Sequence, residues 1–166
     1  MNIVLIGMAG AGKSTLGVLL AKALGMDYLD TDILIQQHAG MLLQEIIESD
    51  GMEAFLKMEE QVICGLNADN YVIATGGSAV YSHAAMQALK AAGRIIYLRV
   101  PFKEIKKRIK NIKTRGIVLK AGNTLKEEYK EREALYRKYG DHTVDCAGKS
   151  VEHCVSEILK TLKKTR

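Results

Sequence analysis

Residues 7–15 read Gly7-Met8-Ala9-Gly10-Ala11-Gly12-Lys13-Ser14-Thr15. This is the spacing G-x-x-x-x-G-K-[ST], set directly after the apolar run Ile3-Val4-Leu5-Ile6 and directly before a helical pattern. Glycines at these offsets let several backbone N–H groups turn toward one anion without side chains in the way. The positive end of the following helix adds to the attraction for phosphate. In such a loop the Lys13 ammonium bridges β- and γ-phosphates, and the Ser14 hydroxyl binds Mg²⁺. A plain glycine turn between strand and helix explains the glycines but leaves Lys13-Ser14 at this offset unexplained. ATP and Mg²⁺ are therefore the expected ligands, with Gly10, Ala11, Gly12, Lys13, Ser14 and Thr15 as the cradle.

Phosphoryl transfer also needs a metal partner, a group to deprotonate the acceptor, and cover from water. Asp30 and Asp32 end the second apolar segment, two residues apart. In extended backbone, residues i and i+2 point the same way, so both carboxylates could serve one phosphate site. One would support Mg²⁺ and the other accept the acceptor's proton. The competing reading is that Asp32 caps a helix beginning at Ile33. A third feature is basic. Seven of the positions 103–115 are Lys or Arg, against one acid, Glu104. Charge runs commonly form a solvated helix face. Here Gly116 and unpatterned flanks also fit a hinged cover that would bring Arg115 over the transferring phosphate.

The elements that must position these groups alternate strand and helix. Strands are expected at 2–6, 27–29, 71–74, 94–100 and 143–145. Helices are expected at 13–24, 33–38, 42–66 (interrupted near Asp50-Gly51), 83–92, 102–109, 124–139 and 151–162. That alternation predicts an α/β/α sandwich around a parallel sheet with right-handed crossovers. Ligands in such sheets sit beyond the carboxyl ends of strands. The turns at Gly7, Asp30 and Thr75 each follow an expected strand, so all three would gather on one edge.

At 166 residues the expectation is a single domain over 1–166, with a substrate-binding helical segment at about 32–66 and a lid at about 109–123. A 48% hydrophobic and 26% charged composition is that of an ordinary globule. No apolar run approaches a membrane span, and the N-terminus lacks a signal-peptide pattern, so a cytoplasmic protein without membrane contact is expected. Cys64, Cys146 and Cys154 are odd in number and lack metal-ligand spacing, consistent with reduced thiols. The net charge of +5 could serve nucleic acid or a phosphorylated small molecule. The chain carries no nucleic-acid module, no Trp and two Phe, so a small-molecule partner is expected and nucleic acid is not.

The sequence resembles the shikimate kinase family of P-loop kinases over nearly its whole length. The resemblance rests on GMAGAGKST, LDTD at 29–32, GMEAF with Glu59, ATGG at 74–77, Arg115, and REALY at 132–136. It implies a five-stranded parallel sheet of order 2-3-1-4-5; a monomer is the expectation for the chain. It also implies transfer from Mg-ATP to a ring hydroxyl of shikimate, in aromatic amino acid biosynthesis. By position it implies Ser14 and Asp30 at the metal, and Asp32 as base and substrate contact. Gly76 and Gly77 would give backbone donors, and Arg132 would hold the substrate carboxylate. Arg108, Gly148 and Lys149 would lie at adenine, and Arg115 would be the lid arginine.

Four positions depart from the family pattern. Leu56 stands where an arginine pairs with Arg132 around the carboxylate, and Met52 stands where the family has an acid. Ser78 replaces the third glycine of the turn, and Gly116 replaces the proline after the lid arginine. Lys57 lies about 100° round the helix from Leu56. The acceptor therefore stays open between shikimate and another hydroxy acid or polyol. A nucleotide-binding regulatory protein without turnover is the reading from a different class. A nucleoside monophosphate kinase would need acceptor arginines that 32–66 lacks.

Overall fold

Strand β1 (Asn2–Ile6) is buried along its whole length, which is why its sequence is a continuous apolar run rather than an alternation. It lies at the centre of five parallel strands in the order β2-β3-β1-β4-β5, with β2 at Asp27–Asp30, β3 at Tyr71–Ala74, β4 at Gly93–Arg99 and β5 at His142–Asp145. Ile3 pairs with Val72 on one side and Arg94 on the other. The computed structural model describes residues 1–110 and 119–164.

Helices cover both faces: α1 (Lys13–Leu24), α2 (Thr31–Ala39), α3 (Leu43–Cys64), α4 (His83–Ala92), α5 (Phe102–Lys110), α6 (Leu125–Tyr139) and α7 (Val151–Lys164). Sheet and flanking helices share one apolar core, in which Leu5, Ile6, Leu20, Ile96 and Ile158 are fully enclosed. Each such side chain contributes roughly 1.5–3 kcal/mol by leaving water. Helices α2 and α3 close a second, smaller core of Ile35, Ile46 and Phe55. Gly51 (φ 83°, ψ 169°) breaks α3 where the interruption was expected.

The expected fold class and strand order are those observed. Several boundaries differ by one to two residues, and two of these differences have a clear physical cause. Strand β4 stops at Arg99, ahead of Pro101, which lacks the N–H a ladder needs. Helix α2 begins at Thr31 rather than Ile33, because Asp30 and not Asp32 is its cap: the Asp30 carboxylate accepts from the Asp32 amide at 3.0 Å. The two acids therefore do not sit on one extended stretch. Asp30 closes β2, and Asp32 belongs to the first helical turn.

Candidate functional site

The carboxyl ends of β1, β2 and β3 open onto one cleft, lined by Gly10, Gly12, Lys13, Asp32, Gly76 and Arg132 among others. Gly12 enters α1 at φ 93°, a left-handed conformation that glycine adopts without cost. The Lys13 ammonium is buried and donates to the Gly7 and Met8 carbonyls at 2.7 and 2.8 Å, which holds it above the loop. The Ser14 hydroxyl donates to Asp30 at 2.7 Å, and Tyr28 donates to the same carboxylate oxygen at 3.1 Å. Thr15 is exposed at the start of α1.

Asp32 faces the turn after β3. A Cβ placed on Gly76 would come within 2.7 Å of the Asp32 carboxylate and 2.5 Å of Glu59 Oε1. Only glycine lets these two acids flank the same point of the backbone. The Gly76 amide itself donates to Thr31 Oγ1 at 3.2 Å. In this structure that donor is turned to Thr31, and the missing side chain of Gly76 leaves room beside both acids. Gly77 is held by Tyr136, whose hydroxyl donates to its carbonyl at 2.6 Å.

Glu59 is a site residue that the sequence flagged only as part of a motif. It is buried, accepts from Ser78 at 2.7 Å through Oε2, and its Oε1 has no hydrogen-bond partner among the described residues. Burial pushes its carboxyl up, from 4.5 to about 7; the Ser78 hydrogen bond opposes this and the Asp32 charge reinforces it, while Arg132 and Lys13 pull the other way. The folded protein thus binds this proton more tightly than the unfolded chain. The stability that Glu59 contributes is fully present below about 4.5 and is lost as pH rises through about 7. Glu59→Gln removes that loss. Thermal melts across this window are expected to show the variant gaining on the parent protein as pH rises, and a constant difference would overturn the assignment.

Arg132 is almost wholly enclosed. Its Nε donates to Glu128 at 3.0 Å and to the Tyr81 hydroxyl at 3.3 Å, while Nη1 faces Gly77. Leu56 is half-buried, and it shares a neighbouring groove with Glu59, Ser78 and Tyr81; Lys57 beside it is exposed. Toward the outer end of the glycine loop, Arg108 donates to the Gly10 carbonyl at 3.1 Å and to Glu104 at 3.2 Å. Glu104 in turn accepts from the Gly148 amide at 2.9 Å, so it ties α5 to the 147–149 loop. The Lys149 amide donates to the Cys146 carbonyl at 3.4 Å, closing that loop. Glu104 was legible only as the one acid among cations. Arg115 lies outside the described residues.

The structure thus brings Lys13, Ser14, Asp30, Asp32, Gly76, Gly77 and Arg132 to one edge, with Arg108 and Gly148 at its flank. The arrangement suits an anionic phosphate chain over the loop and a hydroxylated acceptor between Asp32 and Arg132. Among the described residues, no helix is long and apolar enough to cross a membrane.

Comparison with known proteins places this geometry in context. A family model described as shikimate kinase matches residues 9–163. A shikimate kinase of Thiobacillus denitrificans is 40% identical over 154 residues, covering 90% of this chain and 84% of that protein. One from Caldanaerobacter subterraneus subsp. tengcongensis is 36% identical over 168 residues, covering 99% and 98%. Among solved structures, a shikimate kinase from Acinetobacter baumannii in complex with shikimate superposes with a TM-score of 0.89 at 29% identity, covering 99% of this chain and 94% of that one.

Proposed function

The chain belongs to the shikimate kinase family, and from that premise we propose how its own residues move the γ-phosphoryl group of ATP to a ring hydroxyl of shikimate. It is an ATP-dependent kinase with an alcohol acceptor. The observation that carries the reading is that one cleft joins the buried Lys13 ammonium to Asp32 and Arg132. The acceptors left open by the sequence, and a protein without turnover, have no counterpart in the names of these relatives.

The loop amides from Gly10 to Ser14 receive the phosphates, with Thr15 at the start of α1. Lys13 lies along the β–γ bridge, where charge accumulates as the Pγ–O bond to ADP breaks. Asp32 accepts the proton of the attacking hydroxyl as its oxygen bonds to Pγ. Arg132 holds the shikimate carboxylate, and Gly76 and Gly77 let the ring approach the backbone. Arg108, Gly148 and Lys149 border adenine. Arg115 is assigned to the transferring phosphate by its motif alone.

Ser14 and Asp30 form a hydroxyl–carboxylate pair at the rim of the loop, an all-oxygen donor set that fits Mg²⁺. Two protein ligands suffice, since this ion keeps waters and takes substrate phosphate oxygens. The chemistry such an ion supplies is neutralisation of charge on the β- and γ-oxygens.

An ADP-release assay across shikimate, quinate, homoserine, gluconate and nucleoside monophosphates tests the reading. Shikimate is expected to give the highest kcat/KM; a faster turnover with another acceptor refutes it. Leu56 makes a second expectation. An arginine there would sit about one helical turn before Glu59, whose Oε1 has no partner among the described residues, and add a cation to the groove that meets the cleft at Ser78. Leu56→Arg is expected to lower the KM for shikimate by about tenfold, the worth of ~1.4 kcal/mol. An unchanged KM would place the carboxylate away from α3.

A further inference from the structure

Glu128 is completely enclosed, yet it lies outside every motif that marks the site. Four donors converge on it. The Tyr81 hydroxyl and the Lys120 amide donate at 2.6 Å each, one to either oxygen, the Asn123 side-chain amide at 3.2 Å, and Arg132 Nε at 3.0 Å. Burial alone would push this carboxyl up. The Tyr81 and Lys120 hydrogen bonds and the Arg132 charge outweigh it and hold Glu128 below the usual carboxylate range. It is therefore a fixed anion.

These donors come from separate parts of the chain. Tyr81 ends the short 3-10 turn Ala79–Tyr81 that continues from Gly76-Gly77-Ser78. Lys120 and Asn123 precede α6, and Arg132 lies one turn past Glu128 along it. Lys120 also stacks over the Tyr81 ring at 4.4 Å and pairs with Glu131, which anchors it from a second side. Arg132 lies over the same ring at 5.2 Å.

The consequence for Arg132 is geometric. A guanidinium offers a side edge through Nε and an end edge through its two η nitrogens. Glu128 and Tyr81 occupy the side edge, and Nη1 is turned to Gly77 and the cleft. With Leu56 in place of a second cation, this single orientation carries acceptor recognition. We propose that Glu128 is a positioning residue: it locks Arg132 with its end edge toward the acceptor carboxylate and ties the Lys120–Asn123 segment to that same guanidinium. The inference rests on the shikimate reading above. It separates acceptor binding, which needs the lock, from ATP binding on the glycine loop, which does not.

Steady-state kinetics of Glu128→Gln, Arg132→Lys and the double variant test this, with KM for shikimate and ATP measured separately and folding checked by thermal melts. Glutamine keeps the shape but loses the charge. Glu128→Gln is expected to raise the shikimate KM about tenfold while kcat and the ATP KM stay within about twofold, a tenfold change being ~1.4 kcal/mol. Arg132→Lys, which cannot present two edges, is expected to raise the same KM, and the double variant to be no worse than Arg132→Lys alone. Equal losses in both KM values, an unchanged shikimate KM, or fully additive effects overturn the proposal. Should Glu128→Gln fail to fold, Tyr81→Phe removes one donor to the same carboxylate. It is expected to raise the shikimate KM several-fold with the ATP KM unmoved, and an unmoved shikimate KM again overturns the lock. A parent protein inactive on shikimate would instead sink the acceptor assignment and this inference with it.

Discussion

Replacing Lys13 by alanine is expected to lower ATP turnover by at least about 10²–10³-fold, the effect of deleting one preorganised charge donor at the transferring group. The side chain is buried against the loop, and its ammonium meets the Gly7 and Met8 carbonyls. That contact sets the ammonium above the loop before substrate arrives, so little reorganisation is needed as charge develops. Removing it also takes a donor from both carbonyls; Met8 keeps the Ala11 amide at 3.0 Å, while the Gly7 carbonyl costs roughly 1–3 kcal/mol if water does not reach it. Lys13→Met retains the stem and separates the two effects. If both variants hold their melting temperature within a few degrees and lose turnover alike, the charge is the cause. Turnover surviving in a folded Lys13→Ala protein would remove the basis for placing ATP on this loop.

Asp32→Asn is expected to cut kcat by about 10²–10⁴-fold, the range for loss of a positioned general base. Asparagine preserves the shape and the place in the first turn of α2. The cap of α2 is kept, because Asp30 and not Asp32 makes the cap hydrogen bond. The lost charge at a helix N-terminus costs about 0.3–1 kcal/mol. The KM for ATP should therefore stay within about twofold, since the glycine loop and the Ser14–Asp30 pair are untouched. A parallel loss of nucleotide affinity and kcat would show that Asp32 acts through the architecture. Asp30→Asn supplies the contrast. It disturbs the cap of α2 and the Ser14 contact together, so both stability and nucleotide binding should fall.

The identity of the ligand loop was readable because it is local. Gly7 to Thr15 is contiguous, and the apolar run before it and the helical stripe after it announce a strand and a helix independently. The same local periodicities placed β1, α1, β3 and α4 at their observed bounds. Chain order alone, strand then helix throughout, determined that the turns after Gly7, Asp30 and Thr75 share an edge, since parallel strands end on one side.

The acid pair shows where locality ran out. Asp30-Thr31-Asp32 reads equally as an extended pair or as a helix start, and only packing against Ser14 and Tyr28 makes Asp30 the cap. Ser78 and Glu59 are 19 residues apart, Tyr81 and Glu128 are 47, and Tyr136 and Gly77 are 59. No period or turn rule links such positions. Buried polar groups must find partners to offset their lost hydration, and which partner is in reach depends on how sheet and helices stack. The sequence by itself thus determined the glycine loop between β1 and α1, the strand order implied by the family pattern, and the sheet edge onto which the three turns open. Only the tertiary structure decided which edge of Arg132 Glu128 and Tyr81 occupy, which acid caps α2, and that Glu59 is enclosed with one oxygen lacking a partner among the described residues, because each follows from desolvation and contact between distant segments.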